Sequence, residues 1–187
     1  MARVRSLLAC ISLTTLAACE TVPPAEFAEI GRSQSPVRFE LPEFSETDAS
    51  FEQLPDPRRG ATVSVAEYNN DQAYALVYHQ RAGTERVWDQ LSVSESVRSI
   101  IRDDLSVSFP GTSGSIGPRN AYSYQMFKIN EFPTESCFGF VRAGNTSSLD
   151  EWSRATTLIR GIYCGRTGEL SPTDVEEKLD GLVVGNL

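Results

Sequence analysis

The sequence predicts an α+β domain: one mostly antiparallel sheet, two main helices and one disulfide. Three observations lead there. Strand-length runs of alternating or continuous apolar residues are separated by turn signals. Two segments carry helical apolar spacing behind clear N-terminal caps. Two cysteines, Cys137 and Cys164, lie on two of the strand-length runs.

From Ala61 onward the elements can be justified in order. Thr62-Val63-Ser64-Val65-Ala66 alternates as a half-buried strand, and Asn69-Asn70-Asp71 marks a turn. Tyr74, Leu76 and Tyr78 then share one face of a second strand, with Ala75 and Val77 on the other. Arg81 to Thr84 reads as a turn and Glu85 to Leu91 as a returning strand. Ser92-Val93-Ser94-Glu95 is a capping box, followed by Val97, Ile100, Ile101 and Leu105 at helical spacing, so a helix is expected over 93–105. Pro110 to Pro118 reads as a Gly- and Ser-rich loop, and Tyr122 to Ile129 as a strand.

Cys137–Val141 and Leu158–Cys164 are apolar runs of strand length. Paired antiparallel with Cys137 opposite Cys164, they set Gly139 against Ile162 and Val141 against Arg160. Ser148-Leu149-Asp150-Glu151 between them is a second capping box. A final helix starts at Ser171, with Pro172 at its first position and Val175, Leu179 and Leu182 as its buried stripe; Gly181 or Gly185 ends it.

The segment before Ala61 is different in character. Residues 20–60 hold Pro23, Pro24, Pro36, Pro42, Pro55 and Pro57 and no sustained periodicity, which reads as a tether. Within it Val37 to Leu41 alternates, as a lone strand or an extended segment docking on the domain.

Ahead of the tether, Arg3 and Arg5 precede an apolar stretch from Ser6 to Leu16, which ends in Leu16-Ala17-Ala18-Cys19. The stretch is shorter than the roughly 20 residues that span a bilayer. Small residues before a cysteine allow the thiol to be acylated ahead of cleavage. These residues resemble the lipobox of bacterial lipoproteins, whose cysteine becomes the lipidated first residue. The resemblance covers residues 1–19. It implies a signal peptide over 1–18, a lipidated N-terminus and tether over 19–60, and the domain over 61–187. It also implies an anchor through Cys19 in the cell envelope, and Glu20 in place of Asp favours the outer membrane facing the periplasm.

In an exported chain, the remaining pair, Cys137 and Cys164, reads as one disulfide, closing a loop that stabilises the fold by roughly 3–4 kcal/mol. A metal site would need two further ligands, and the sequence has no CxxC and one histidine, His79.

Removing residues 1–18 takes Arg3 and Arg5 away, leaving 15 basic residues against 25 acidic ones, a net charge of −10. That balance argues against nucleic acid or anionic lipid headgroups as partners, because both need positive charge. Catalytic signatures are sparse. His79 sits mid-strand; a Ser–His–Asp arrangement is spatial and the sequence leaves it open, but no GxSxG elbow supports one. Gly111-Thr112-Ser113-Gly114-Ser115 lacks the ending of a phosphate-binding loop. Glu67 with Asp71, or Glu131 with Glu135, form acid pairs of the kind glycoside hydrolysis uses, but among 25 acids such pairs arise by chance. Six tyrosines on or beside strands suit either a ligand surface or a pleated core. The expectation is a non-enzymatic binding or accessory protein of the envelope, without cofactor or metal and with an envelope protein as partner. A cell-wall hydrolase or transferase and an acidic ligand- or inhibitor-type module are the alternatives.

Overall fold

A computed structural model describes residues 26–56, 61–83, 91–117, 121–146, 155–166 and 168–185. The early chain contributes β1 (Ala28–Glu29), β2 (Val37–Phe39), β3 (Ala49–Asp56), β4 (Ala61–Asn69) and β5 (Ala73–Arg81). Helix α1 (Val93–Ile100) follows, then β6 (Val107–Ser108), β7 (Ser113–Ile116), β8 (Tyr122–Ile129), β9 (Ser136–Thr146) and β10 (Ala155–Gly165). Helix α2 (Pro172–Asp180) and β11 (Leu182–Val184) close the chain.

Nine strands form one antiparallel sheet in the order β1-β3-β4-β5-β10-β9-β8-β6, with β7 also on β8. It consists of two meanders, β3-β4-β5 and β8-β9-β10, joined where β5 pairs with β10. The register expected between the cysteine strands is the one observed: Cys137 faces Cys164, Gly139 faces Ile162 and Val141 faces Arg160. A disulfide joins Cys137 to Cys164, both buried.

Because side chains alternate across a strand, the sheet has two cores. On one face Tyr68, Ala75, Val77, Phe138, Phe140 and Tyr163 pack with Val37 and Phe39 of β2 and with Val175 and Leu179 of α2. On the other, Phe127, Cys137, Ile162 and Cys164 pack beneath Val97 and Ile101. The tyrosines serve this core: Tyr68, Tyr122, Tyr124 and Tyr163 are buried. Tyr68 has Phe39, Phe44 and Phe51 around it with centroids 4.9–5.9 Å away, and its hydroxyl accepts the Phe39 amide at 2.8 Å. Glycines make room at two crossings. A Cβ on Gly161 would lie 2.5 Å from the Leu76 carbonyl oxygen and 2.7 Å from the Phe140 ring. On Gly139 it would lie 2.1 Å from Val97 Cγ2, so Gly139 is the seat on which α1 rests.

Four expectations need correction, the first being that Leu182, expected on the final helix's stripe, begins β11 beyond the end of α2 at Asp180. The segment expected as a tether over residues 19–60 belongs to the domain from Ala28 onward. Residues of β3 pair with β4 over eight positions, and β2 pairs with β11, so Val37–Phe39 docks as a strand. Prolines hid this because Pro36 and Pro42 flank β2 while Pro55 lies near the end of β3, positions a strand tolerates. Helix α1 ends at Ile100, with Ile101 extended, because Asp103 and Asp104 are poor helix formers; a turn still delivers Ile101 and Leu105 to the same core. The loop expected over 110–118 contains β7, an exposed edge strand on β8. The strand expected over 85–91 and the cap at 148–151 lie outside the described residues, except Leu91.

Gly139→Val should lower stability by about 1–3 kcal/mol, the usual cost of overpacking. Adding Val97→Ala should recover part of that loss, since the two sites share one contact. Urea unfolding of the two single variants and the double variant checks both expectations.

Candidate functional site

At one end of the sheet, near the β4–β5 turn, the chain folds over the sheet surface as Pro42-Glu43-Phe44. The Phe44 amide donates to the Leu41 carbonyl at 3.1 Å, and the Phe44 ring lies between Tyr68 and Tyr163 with centroids at 4.9 and 6.2 Å. Asn70, the centre of the expected turn, holds this segment down. Its Nδ2 donates to the Glu43 carbonyl at 2.6 Å and to Asp48 at 3.0 Å, while its Oδ1 accepts the Gln72 and Ala73 amides.

The turn thereby aims the Glu43 carboxylate into a cleft of about 540 Å³ shared with Tyr163, Lys178, Glu169, Asp174 and Leu170. Helix α2 supplies Lys178. Ser171 caps the helix through the Asp174 amide, Pro172 opens it, and Val175 and Leu179 pin its inner face. Lys178 Nζ lies 2.9 Å from Glu43 Oε1 and 3.5 Å from Glu177; the Lys178 and Glu43 side chains are only 16% and 10% exposed. The Tyr163 hydroxyl donates to the same Glu43 oxygen at 2.7 Å, and the ammonium stands 5.9 Å from the Tyr163 ring centroid.

Each of the three groups is driven further into one protonation state. Burial works to raise the Glu43 carboxyl, but hydrogen bonds from Tyr163 and Lys178 overcome it and hold its pKa below the ordinary value. Burial works against the Lys178 ammonium, yet Glu43 keeps its pKa above the ordinary value. Burial, reinforced by Glu43, pushes the Tyr163 phenol well up. At neutral pH the trio is a carboxylate, an ammonium and a phenol, and none of them titrates near 7. General acid–base catalysis favours a group poised near the working pH, so this trio suits charge recognition and clamping better than proton transfer. Sequence reasoning missed Glu43, because it lay in the supposed tether and meets Tyr163 across 120 residues. No local pattern encodes such a meeting.

On the opposite face of the same end is a second cleft of about 590 Å³. Tyr74, Leu105, Ile129, Phe132, Ile162 and Cys164 form its apolar floor, and Arg102, Asp104, Glu135 and Arg166 its rim. Glu135 lies close to both cysteine sulfurs, the one group of three donors among the described residues that falls within metal-binding reach. With both sulfurs in the disulfide, no thiolate is left to ligate.

The residues singled out from the sequence do not converge. His79 is 3% exposed in a row with Ser64 and Ile159, and neither ring nitrogen has a partner among the described residues. No serine or carboxylate completes a triad with it there. Glu67 and Asp71 are exposed, and burial plus the nearby Glu67 carboxylate raises the Tyr74 phenol. Glu131 accepts the Ser106 amide, whereas Glu135 lies 3.9 Å from Arg166. Ser113 to Ser115 belong to β7, where no helix follows to cradle a phosphate. Cys19 lies outside the described residues.

Lys178→Met should leave the Glu43 carboxylate without its counter-charge and cost about 1–3 kcal/mol, measured by thermal or urea unfolding. Burial, helped by the Arg81 charge, holds the His79 pKa below its ordinary value of 6.5. A lowered folded-state pKa means that stability from neutral His79 is full above pH 6.5 and drains as the unfolded chain gains its proton below it. The melting temperature should therefore fall between pH 7.5 and pH 5.5, and His79→Leu should flatten that slope. No protein-family model, curated protein or solved structure matches the chain.

Proposed function

We propose that this chain is a lipid-anchored protein of the bacterial envelope whose α+β domain is a non-enzymatic accessory module for an envelope protein partner. The observation that carries the reading is Leu16-Ala17-Ala18-Cys19 behind Arg3, Arg5 and an apolar stretch too short to span a bilayer. Cys19 takes the lipid, and Glu20 favours the outer membrane, with the domain in the periplasm. An intramolecular disulfide supports the same address, since oxidising compartments are where such bonds persist.

The chemistry of the described clefts supports binding over catalysis. The polar cleft offers Glu43, Glu169 and Asp174 against Lys178, so it favours a partner that brings basic side chains. Among the described residues no helix is long and apolar enough to cross a membrane.

Wild-type protein should sediment with membranes and gain the mass of acyl chains on Cys19, and Cys19→Ala should lose both properties. Full membrane retention by Cys19→Ala would reject the anchor. In-cell crosslinking should give one dominant envelope partner that disappears with Cys19→Ala. A peptidoglycan-cleaving activity in the purified wild type would instead reject the accessory role.

A further inference from the structure

The correction to the tether changes where the domain sits. Folded chain begins by Ala28, and from Cys19 to Glu26, the first described residue, is a reach of only seven residues. Seven residues span at most about 25 Å even when fully extended. The register fixes which end of the sheet they reach. Ala28 pairs with Gln53 and Glu29 with Glu52, so β1 runs from the end where β3 turns into β4 toward the end holding the β4–β5 turn. The chain therefore enters from the β3–β4 end.

Phe27, the residue just outside β1, is 47% exposed, one of two large hydrophobic residues so exposed among the described residues. The other, Phe132, lies at the opposite end. Arg81, at the Phe27 end of β5, is exposed. Both clefts open at the far end. One is lined by Gln72, Tyr163 and Gly165, the other by Asn69, Cys164 and Arg166. Nine-residue β5 separates the two ends by about 30 Å.

We infer that the domain rests on the bilayer surface by the Phe27 end of its sheet, with both clefts directed away from the membrane. This inference depends on the anchor at Cys19 proposed above. The bound on reach keeps the Phe27 end within about 25 Å of the surface whatever path residues 20–25 take, and Phe27 gives that end an aromatic side chain for the headgroup region. The partner then approaches from the aqueous side, about one domain length above the lipid.

The test uses the full lipidated chain in vesicles of phosphatidylethanolamine and phosphatidylglycerol. A photoreactive benzoylphenylalanine replaces Phe27 in one sample and Phe132 in another, both exposed positions. Intact mass first establishes acylation at Cys19, and a chain that carries no lipid would overturn the anchor and this inference together. In acylated protein, lipid adducts at position 27 should exceed those at 132 by about tenfold or more. A flexible spacer of about 40 Gly and Ser residues after Pro24 should remove most of that excess by diluting the domain away from the surface. Acylated protein with equal adducts at both positions, or with more at 132, would overturn the orientation while leaving the anchor standing.

Discussion

The seam between β5 and β10 is the contact on which the remaining architecture rests. Nine residue pairs, from Thr157 with Arg81 to Gly165 with Ala73, join two meanders that are otherwise separate sheets. Without the seam each meander would present a long central strand as an open edge, with a full row of unpaired amides and carbonyls. The seam also aligns the two cores. Ala75 and Val77 meet Tyr163 and Gly161 on the face that β2 and α2 cover, while Tyr74 and Leu76 meet Cys164 and Ile162 on the other. The polar cleft needs this alignment, because Tyr163 comes from β10 and the Asn70 turn that holds Glu43 comes from the β4–β5 junction.

Two kinds of packing then fix the outer layers, and they differ in character. Helix α1 is seated by shape: Gly139 leaves the hollow that Val97 enters, so the contact depends on an absent side chain. The N-terminal segment is held by polar anchors in apolar surroundings. Tyr68 binds the Phe39 amide, Asn70 binds the Glu43 carbonyl, and Tyr163 with Lys178 binds the Glu43 carboxylate. Each satisfies a group that would otherwise be shielded from water without a partner, which is why an irregular segment can lie across an aromatic core.

Legibility in the sequence followed the range of the interactions. Local signals were readable: the capping box at Ser92 and the cap at Ser171 with Pro172 place both helix starts, and alternation placed β4, β5 and β8. The Cys137–Cys164 register was readable too, because two short apolar runs with one cysteine each leave few ways to pair. What stayed hidden depended on distant partners. Alternation over Val37–Leu41 suggests an extended segment, but its partner, Leu182–Val184, lies far along the chain and no local pattern names it. β7, Ser-Gly-Ser-Ile, has almost no apolar content and exists as a strand because β8 offers it a ladder. Glu43 and Lys178 look like two ordinary surface charges until the fold brings them together.

The pairing of β2 with β11 bears on how the molecule comes into being. A ribosome releases Val37–Phe39 long before Leu182–Val184, so the first buried strand must wait for residues far along the chain before its ladder closes. Non-local pairings of this kind slow folding, since the loop entropy is lost before the contact is gained. Until then Val37 and Phe39, both fully buried in the finished domain, are exposed apolar groups beside unpaired backbone. Synthesis of Leu182–Val184, rather than the emergence of any earlier segment, is the event that permits the domain to close, and a chain lacking these residues leaves its first buried strand without a mate.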